Sequence, residues 1–162
     1  AQFQPGYLTL YPSGELRRRT EALESRLVSC DLCPHTCRVN RLQGEVGFCH
    51  SRALPVVASI CAHHGEEPPI SGTGGSGAVF FGNCNMRCVY CQNHQISHDI
   101  KGESLDSAAL ARIMLSLRDK GCHNIEPVTP SPQTPQIMAA LSMAREQGLQ
   151  LPFVYNCGGY EY

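Results

Sequence analysis

The chain has 162 residues, 42% of them hydrophobic and 17% charged, enough for one domain with a buried core and unlike a disordered chain. Its 13 basic and 14 acidic residues balance to −1, which removes the electrostatic case for a nucleic-acid partner or an anionic membrane surface. No apolar run approaches a membrane span and the first 14 residues contain no secretory core, so the expectation is a cytoplasmic protein whose 10 cysteines stay reduced or bind metal.

A polar stretch from Glu15 to Leu27 reads as a surface helix. The first cysteine group follows, C-x2-C-x3-C at Cys30, Cys33 and Cys37, with Cys49 after eleven intervening residues. A short apolar run (Ala53 to Cys61) and the segment HHGEEPPI lead to a glycine-rich stretch, Ser71 to Gly77, and then to a strand from Ala78 to Phe81. The second group, C-x3-C-x2-C at Cys84, Cys88 and Cys91, lies in the loop after that strand. Ser104 is placed to cap a helix in which Leu110, Ile113, Met114 and Leu117 recur at helical spacing, with Gly121 as its stop. Residues 122–129 read as a short strand, flawed by Pro127. Thr134 and Pro135 open a second helix as N-cap and first-turn residue, Ile137, Met138 and Leu141 share one face of it, and Gly148 ends it. Leu151 to Asn156 is the next strand.

Strand, loop, helix, strand, helix, strand predicts an α/β fold built of βαβ units around a parallel sheet. The pattern stops at Tyr162 with no helix over the third strand. A parallel sheet has both faces covered, so the chain reads as the front of a longer protein, truncated after that strand. Residues 1–70 form a cysteine-rich extension and 71–162 the core.

The spacing of the cysteines separates disulfide from metal chemistry. Disulfides close sizeable rings, whereas metal ligands cluster so that one short loop surrounds an ion. Three thiolates from Cys84, Cys88 and Cys91 do not complete a tetrahedral structural zinc site. On a 4Fe–4S cluster they leave one iron open to a substrate or cofactor. Tyr90 could shield such a cluster from water or stand as an ordinary exposed aromatic, and Arg87 and Asn93 could tune its potential or lie on solvated surface. Cys30, Cys33, Cys37 and Cys49 make a four-thiolate set that suits zinc or an auxiliary iron–sulfur cluster, with free thiols and a stray bridge as the bland alternative. His35 is within reach as an alternative ligand but reads as surface. Cys61, Cys122 and Cys157 lack partners and read as small buried apolar side chains.

Other motifs fail their context. Neither C-x2-C pair is followed by His, which excludes covalent haem. Gly72 to Gly77 fits G-x-G-x-x-G but precedes a strand and has no following Lys, so it is neither a dinucleotide fingerprint nor a phosphate loop. A tight turn or a close backbone approach to the cluster loop is expected instead. HGE at His64 to Glu66 followed by C-x2-C partly matches zinc deaminases, but Arg87 stands where Pro is needed. Glu66 and Glu67 otherwise read as a solvated turn.

CNMRCVYCQN, from Cys84 to Asn93, resembles the cluster loop of radical S-adenosylmethionine (SAM) enzymes. GEEPPISGTGGSGAVFFGN before it, CPHTCRVNRLQGEVGFC, VTPSPQTPQI and VYNCGGY extend the likeness to the radical SAM proteins related to pyruvate formate-lyase activating enzyme. The resemblance implies a partial (β/α) barrel of which residues 71–162 supply the first half. It implies a 4Fe–4S cluster on Cys84, Cys88 and Cys91 that binds SAM and cleaves it reductively to methionine and a 5′-deoxyadenosyl radical for hydrogen abstraction. An oxidoreductase of this kind takes electrons from a donor such as flavodoxin or ferredoxin, and the family name suggests a glycyl-radical enzyme as partner. In barrels reactive groups sit on loops at strand C-termini, which makes Thr129, Ser131 and Asn156 candidate SAM contacts beside Tyr90. The Gly-Gly-Glu that many such enzymes carry after the second strand is EPVTPS here. The alternative is a non-catalytic module that binds zinc or iron–sulfur for structure or electron transfer.

Overall fold

The computed structural model describes residues 3–162. Its helices and strands in chain order are α1 (Tyr7–Leu10), α2 (Glu15–Ser25), β1 (Val56–His63), α3 (Pro68–Ser71), β2 (Ser76–Phe81), α4 (His94–Ser97), β3 (Glu103–Ser104), α5 (Ser107–Asp119), β4 (Ile125–Val128) and α6 (Thr134–Glu146). The four strands form one mixed sheet in the order β3-β1-β2-β4. β2 and β4 are parallel, with Val79 opposite Pro127, and α5 supplies the crossover between them, as the βαβ pattern predicts. β1 was not foreseen as a strand. It runs antiparallel to β2, Cys61 opposite Ala78, so part of the cysteine-rich extension belongs to the same sheet as the core. β3 adds two residues along the other side of β1.

The expected third parallel strand is only partly there. Residues 151–156 lie alongside β4 in the parallel sense but pair through two isolated bridges, Ile125 with Phe153 and Val128 with Asn156. Ile125 and Thr129 donate to this segment, to Pro152 O and Asn156 O. Pro127, on the same side of β4, has no N–H to give between them, so the ladder is interrupted there.

One face of the sheet carries the core. Val79, Phe81 and Ile125 pack with Leu110, Met114 and Leu117 of α5 and with Ile137 and Leu141 of α6, and Leu16 of α2 and Tyr7 join the same cluster. Strand alternation turns Ser76 and Glu126 to the opposite face. Helix starts differ from expectation by one or two residues. The cap of α5 is Asp106, whose side chain accepts the Ala109 N–H at 2.6 Å, while Ser104 is exposed in β3. Thr134 is the first residue of α6 rather than its cap, and a 3-10 turn at Ser131–Gln133 runs straight into it. Gly121 and Gly148 end both helices at φ +87° and +86°, as read from the sequence.

The glycine-rich turn sits at the N-terminal end of β2, away from the cluster loop. The close approach it makes is to Gly121–His123. A Cβ at Gly74 would stand 2.0 Å from Gly121 O, and the backbone N–H groups of Thr73 and Gly74 donate to His123 Nε2 at 3.0 and 2.8 Å. The expected approach to the cluster loop is thereby corrected.

Candidate metal centre

Both cysteine groups occupy loops at one end of the sheet. Cys84 follows Gly82 and Asn83 directly at the C-terminal end of β2. Gly82 N–H donates to Val56 O at 2.8 Å, and Asn83 takes the left-handed conformation at φ 72°, a region Asn tolerates. The loop then folds over itself. The Met86 N–H donates to Cys84 Sγ at 3.3 Å, Cys91 N–H to Cys88 O at 3.1 Å, and Cys91 Sγ lies 3.3 Å from Ser97 Oγ. Arg87, at φ 48°, turns the chain between Cys84 and Cys88. Its Nη1 is buried with no hydrogen-bond partner. Val89 and Tyr90 are 98% and 86% exposed, so any shielding Tyr90 gives the thiols is not built from packing within the chain.

The first group lies beside this loop. Cys30 N–H bonds to Val39 O and Arg38 N–H to Cys30 O, which draws residues 30–39 into a closed loop. Thr36, Arg38 and His50, neighbours of Cys37 and Cys49, have φ of 43°, 58° and 59°. Such backbone is uncommon outside glycine and bends the chain so that its thiols face inward. Cys30, Cys33, Cys37 and Cys49 all line one cavity of about 20 Å³. Gly47 packs so closely on Cys37 that a Cβ there would stand 2.6 Å from Sγ, and the Phe48 N–H donates to that sulfur at 3.4 Å. Burial pushes the Cys33 thiol up, opposed by a backbone hydrogen bond at His35 and reinforced by Cys49, Cys30 and Cys37 nearby.

Side chains join the two loops. His35 is half-buried, stacked on Phe48 at 4.0 Å between ring centroids and edge-on to Tyr160 at 5.0 Å. Its Nε2 lies 2.9 Å from Asn85 O in the second loop, so its expected place on open surface is corrected. Asn83 Nδ2 donates to Cys49 O at 3.1 Å and Asn85 Nδ2 to Tyr160 O at 2.9 Å. Arg41 is 1% exposed. It donates to Arg52 O from Nε and Nη2 at 3.0 and 2.6 Å and to Pro132 O from Nη1 at 2.7 Å, tying the first loop to the turn before α6.

Thr129, Ser131 and Asn156 lie at the same end of the sheet as Cys84. Thr129, at the end of β4, has φ 61° and donates its N–H to Asn156 O at 3.0 Å. A β-branched residue in that region is strained, and strain of this kind clusters at functional sites. The other two side chains already have partners. Ser131 Oγ donates to the Glu161 carboxylate, and Asn156 Nδ2 donates to Glu126 Oε1 at 2.9 Å. Glu126 is 1% exposed and also receives the Ser76 hydroxyl, which lies 2.6 Å from Asn124 Oδ1. Reading the chain by motif missed this buried carboxylate; the Pro that follows it, the flaw in the strand pattern, drew attention instead. Away from the loops, Glu66 pairs with His63 at 3.1 Å rather than standing in a solvated turn.

All ten cysteines carry free thiols, and burial pushes the Cys122 thiol up, in keeping with an inert core position. No three His, Cys, Asp or Glu side chains among the described residues converge as single-ion ligands. The unpartnered Arg87 nitrogen fits an anionic group held at that loop. Among the described residues no helix is long and apolar enough to cross a membrane.

An α/β chain with two thiol-rich loops at one sheet end is the frame of an iron–sulfur protein. The chain belongs to the 4Fe–4S single cluster domain family, whose pattern matches residues 70–159. It is similar to two proteins of Methanocaldococcus jannaschii. Uncharacterized protein MJ0674 is 28% identical over 149 residues, 88% of this chain and 42% of that protein. Uncharacterized protein MJ0808 is 31% identical over 90 residues, 48% of this chain and 26% of that protein. The chain therefore spans less than half the length of these relatives. No solved structure matches it.

Proposed function

We propose that residues 71–162 are the first part of a radical SAM barrel, with a 4Fe–4S cluster on Cys84, Cys88 and Cys91 and SAM bound at its open iron. The observation that carries this reading is the position of three thiols at the C-terminal end of β2, beside the C-terminal ends of β4 and residues 153–156. When bound, the cluster supplies one-electron reductive cleavage of SAM and thereby abstraction of a substrate hydrogen.

The chain's own residues have separate tasks in this reading. Met86 N–H and the Ser97 hydroxyl hold the sulfurs of Cys84 and Cys91. Arg87 offsets negative charge. Thr129 and Asn156 form the rim nearest the loop. Glu126 fixes the Asn156 side-chain amide through Nδ2 and leaves Asn156 Oδ1 as the acceptor that rim can offer. Tyr90 and Val89 wait for a partner surface. The electron comes from a small redox protein such as a flavodoxin or ferredoxin, and the partner class to try first is a glycyl-radical enzyme. The extension holds a second metal.

The test is anaerobic iron–sulfide reconstitution followed by reduction in the presence of SAM, with 5′-deoxyadenosine measured. Cleavage that disappears in Cys84→Ala, Cys88→Ala and Cys91→Ala supports the assignment. Cleavage that survives them refutes it. A reduced, iron-loaded chain that never cleaves SAM, tested also at the full length of the relatives, would leave an electron carrier; a colourless zinc-loaded chain would leave a structural module.

A further inference from the structure

We infer that His98 is a positioning residue for the proposed cluster: through Ser97 it directs a hydrogen bond onto the sulfur of Cys91. The inference deepens the proposal above and rests on it only for Cys91 as a thiolate ligand. Three atoms in a row carry it. Cys91 Sγ lies 3.3 Å from Ser97 Oγ, and Ser97 Oγ lies 2.8 Å from His98 Nδ1. Ser97 is 4% exposed, so its hydroxyl has little water to turn to instead.

The proton count fixes the direction of this chain. A serine hydroxyl has one proton to give and lone pairs to accept with, and each imidazole nitrogen either donates or accepts. A protonated thiol allows two arrangements, one running from sulfur to imidazole and one running back. A thiolate only accepts. Once Cys91 is a ligand, the Ser97 proton belongs on the sulfur, and the hydroxyl oxygen takes its own hydrogen bond from His98 Nδ1–H. The reverse choice, with Ser97 donating to a bare Nδ1, turns oxygen lone pairs toward a thiolate. An imidazole protonated at Nδ1 serves whether neutral or charged, so the device works by tautomer.

Backbone and ring packing hold the three residues in place. His94 N–H donates to Cys91 O at 3.2 Å, Ser97 N–H to Asn93 O at 3.0 Å and His98 N–H to His94 O at 2.9 Å, so α4 winds directly off the last ligand. The His94 ring stacks on His98 at 4.5 Å between centroids, with planes 16° apart. That contact restrains the ring that presents Nδ1. A hydrogen bond to a ligand sulfur stabilises the more negative, reduced state and so raises the potential.

The experiment is an EPR-monitored redox titration of the reconstituted chain and of Ser97→Ala, His98→Leu, His98→Asn and Ser97→Ala/His98→Leu. Iron content and 5′-deoxyadenosine are measured on the same samples. Ser97→Ala is expected to shift the midpoint to a more negative value, and His98→Leu to shift it the same way by no more. The double variant should match Ser97→Ala, because His98 acts only through the hydroxyl. His98→Asn keeps a side-chain N–H donor near the place of Nδ1 and should restore most of the original potential. A His98→Leu midpoint equal to the parent's would overturn the inference, as would additive shifts in the double variant or no recovery with Asn. Where the Ser97 variants fail to fold, His98→Leu against His98→Asn still decides. Unchanged potentials in a chain that cleaves SAM overturn this inference alone. A chain that shows the shifts and never cleaves SAM refutes the radical SAM reading and leaves the inference standing.

Discussion

Loop 84–91 hangs from the end of a buried strand, whereas loop 30–49 is held by Arg41, by 3-10 turns at Arg26–Ser29 and Arg41–Gln43 and by the Phe48 N–H bond to Cys37 Sγ. In the first, Phe81 is 2% exposed and anchors the chain two residues before Asn83, while the tip at Val89 and Tyr90 is almost fully exposed. In the second, four thiols surround one cavity and the nearest long helix ends at Ser25. The contrast separates two ways of building a thiolate site. In the proposed reading, the loop that leaves one position open is positioned by the fold and has few ligands. A metal held by loop 30–49, as proposed, would do much of that loop's folding.

Breaking a proposed ligand in each loop should expose this difference most strongly. Cys33→Ser is expected to lose the order of residues 30–49, seen as rapid proteolytic cleavage there, whereas Cys88→Ser should lose iron and keep the sheet. Equal protease resistance in the two variants would erase the contrast. Next in size is Arg41→Met, which leaves the carbonyls of Arg52 and Pro132 unsatisfied. A loss of about 2 kcal/mol is expected in urea unfolding. Smaller again is the cap of α5: Asp106→Ala should cost about 1 kcal/mol and Ser104→Ala under about 0.5 kcal/mol, with cofactor content unchanged at both loops.

The smallest effect lies on α2, which leads into loop 30–49. Hydrogen bonds from Arg18 and Arg19 hold the Glu15 carboxyl down at about 2, from an ordinary 4.5. A lowered folded value stabilises the protein above 4.5, and that contribution is lost as pH falls through about 2. Glu15→Gln should therefore flatten the pH dependence of thermal unfolding across this window. Because the carboxyl is exposed, the change should also fade in high salt.

Features carried by local chemistry were legible before the fold was known. The Leu110-Ile113-Met114-Leu117 stripe, the glycine stops and the two cysteine spacings each need only a few neighbouring residues to make sense. Pairing across the sheet was not. Val56–His63 has no alternation that marks it as a strand beside β2, and its register depends on partners about twenty residues away. His35 looked like surface because the ring that covers it, Tyr160, comes from the far end of the chain. The same holds for Arg41, whose acceptor Pro132 O is 91 residues distant. Glu126 was hidden by its own neighbour, since a strand containing Pro reads as an edge before it reads as a site.

The antiparallel pair of β1 and β2 bears on the order of folding. Only residues 64–75 separate these strands, whereas β2 meets β4 after a longer excursion through α4 and α5. Near contacts tend to form sooner than distant ones, so the β1–β2 hairpin is expected to precede the β2–β4 pairing. It sets the end of β2, and with it the Asn83 contact to Cys49, before the helical layer closes. A chain emerging from the ribosome thus presents both sets of thiols together at an early stage. With the proposed metal sites, capture would then precede completion of the core, and thiol oxidation is expected to be easiest before it.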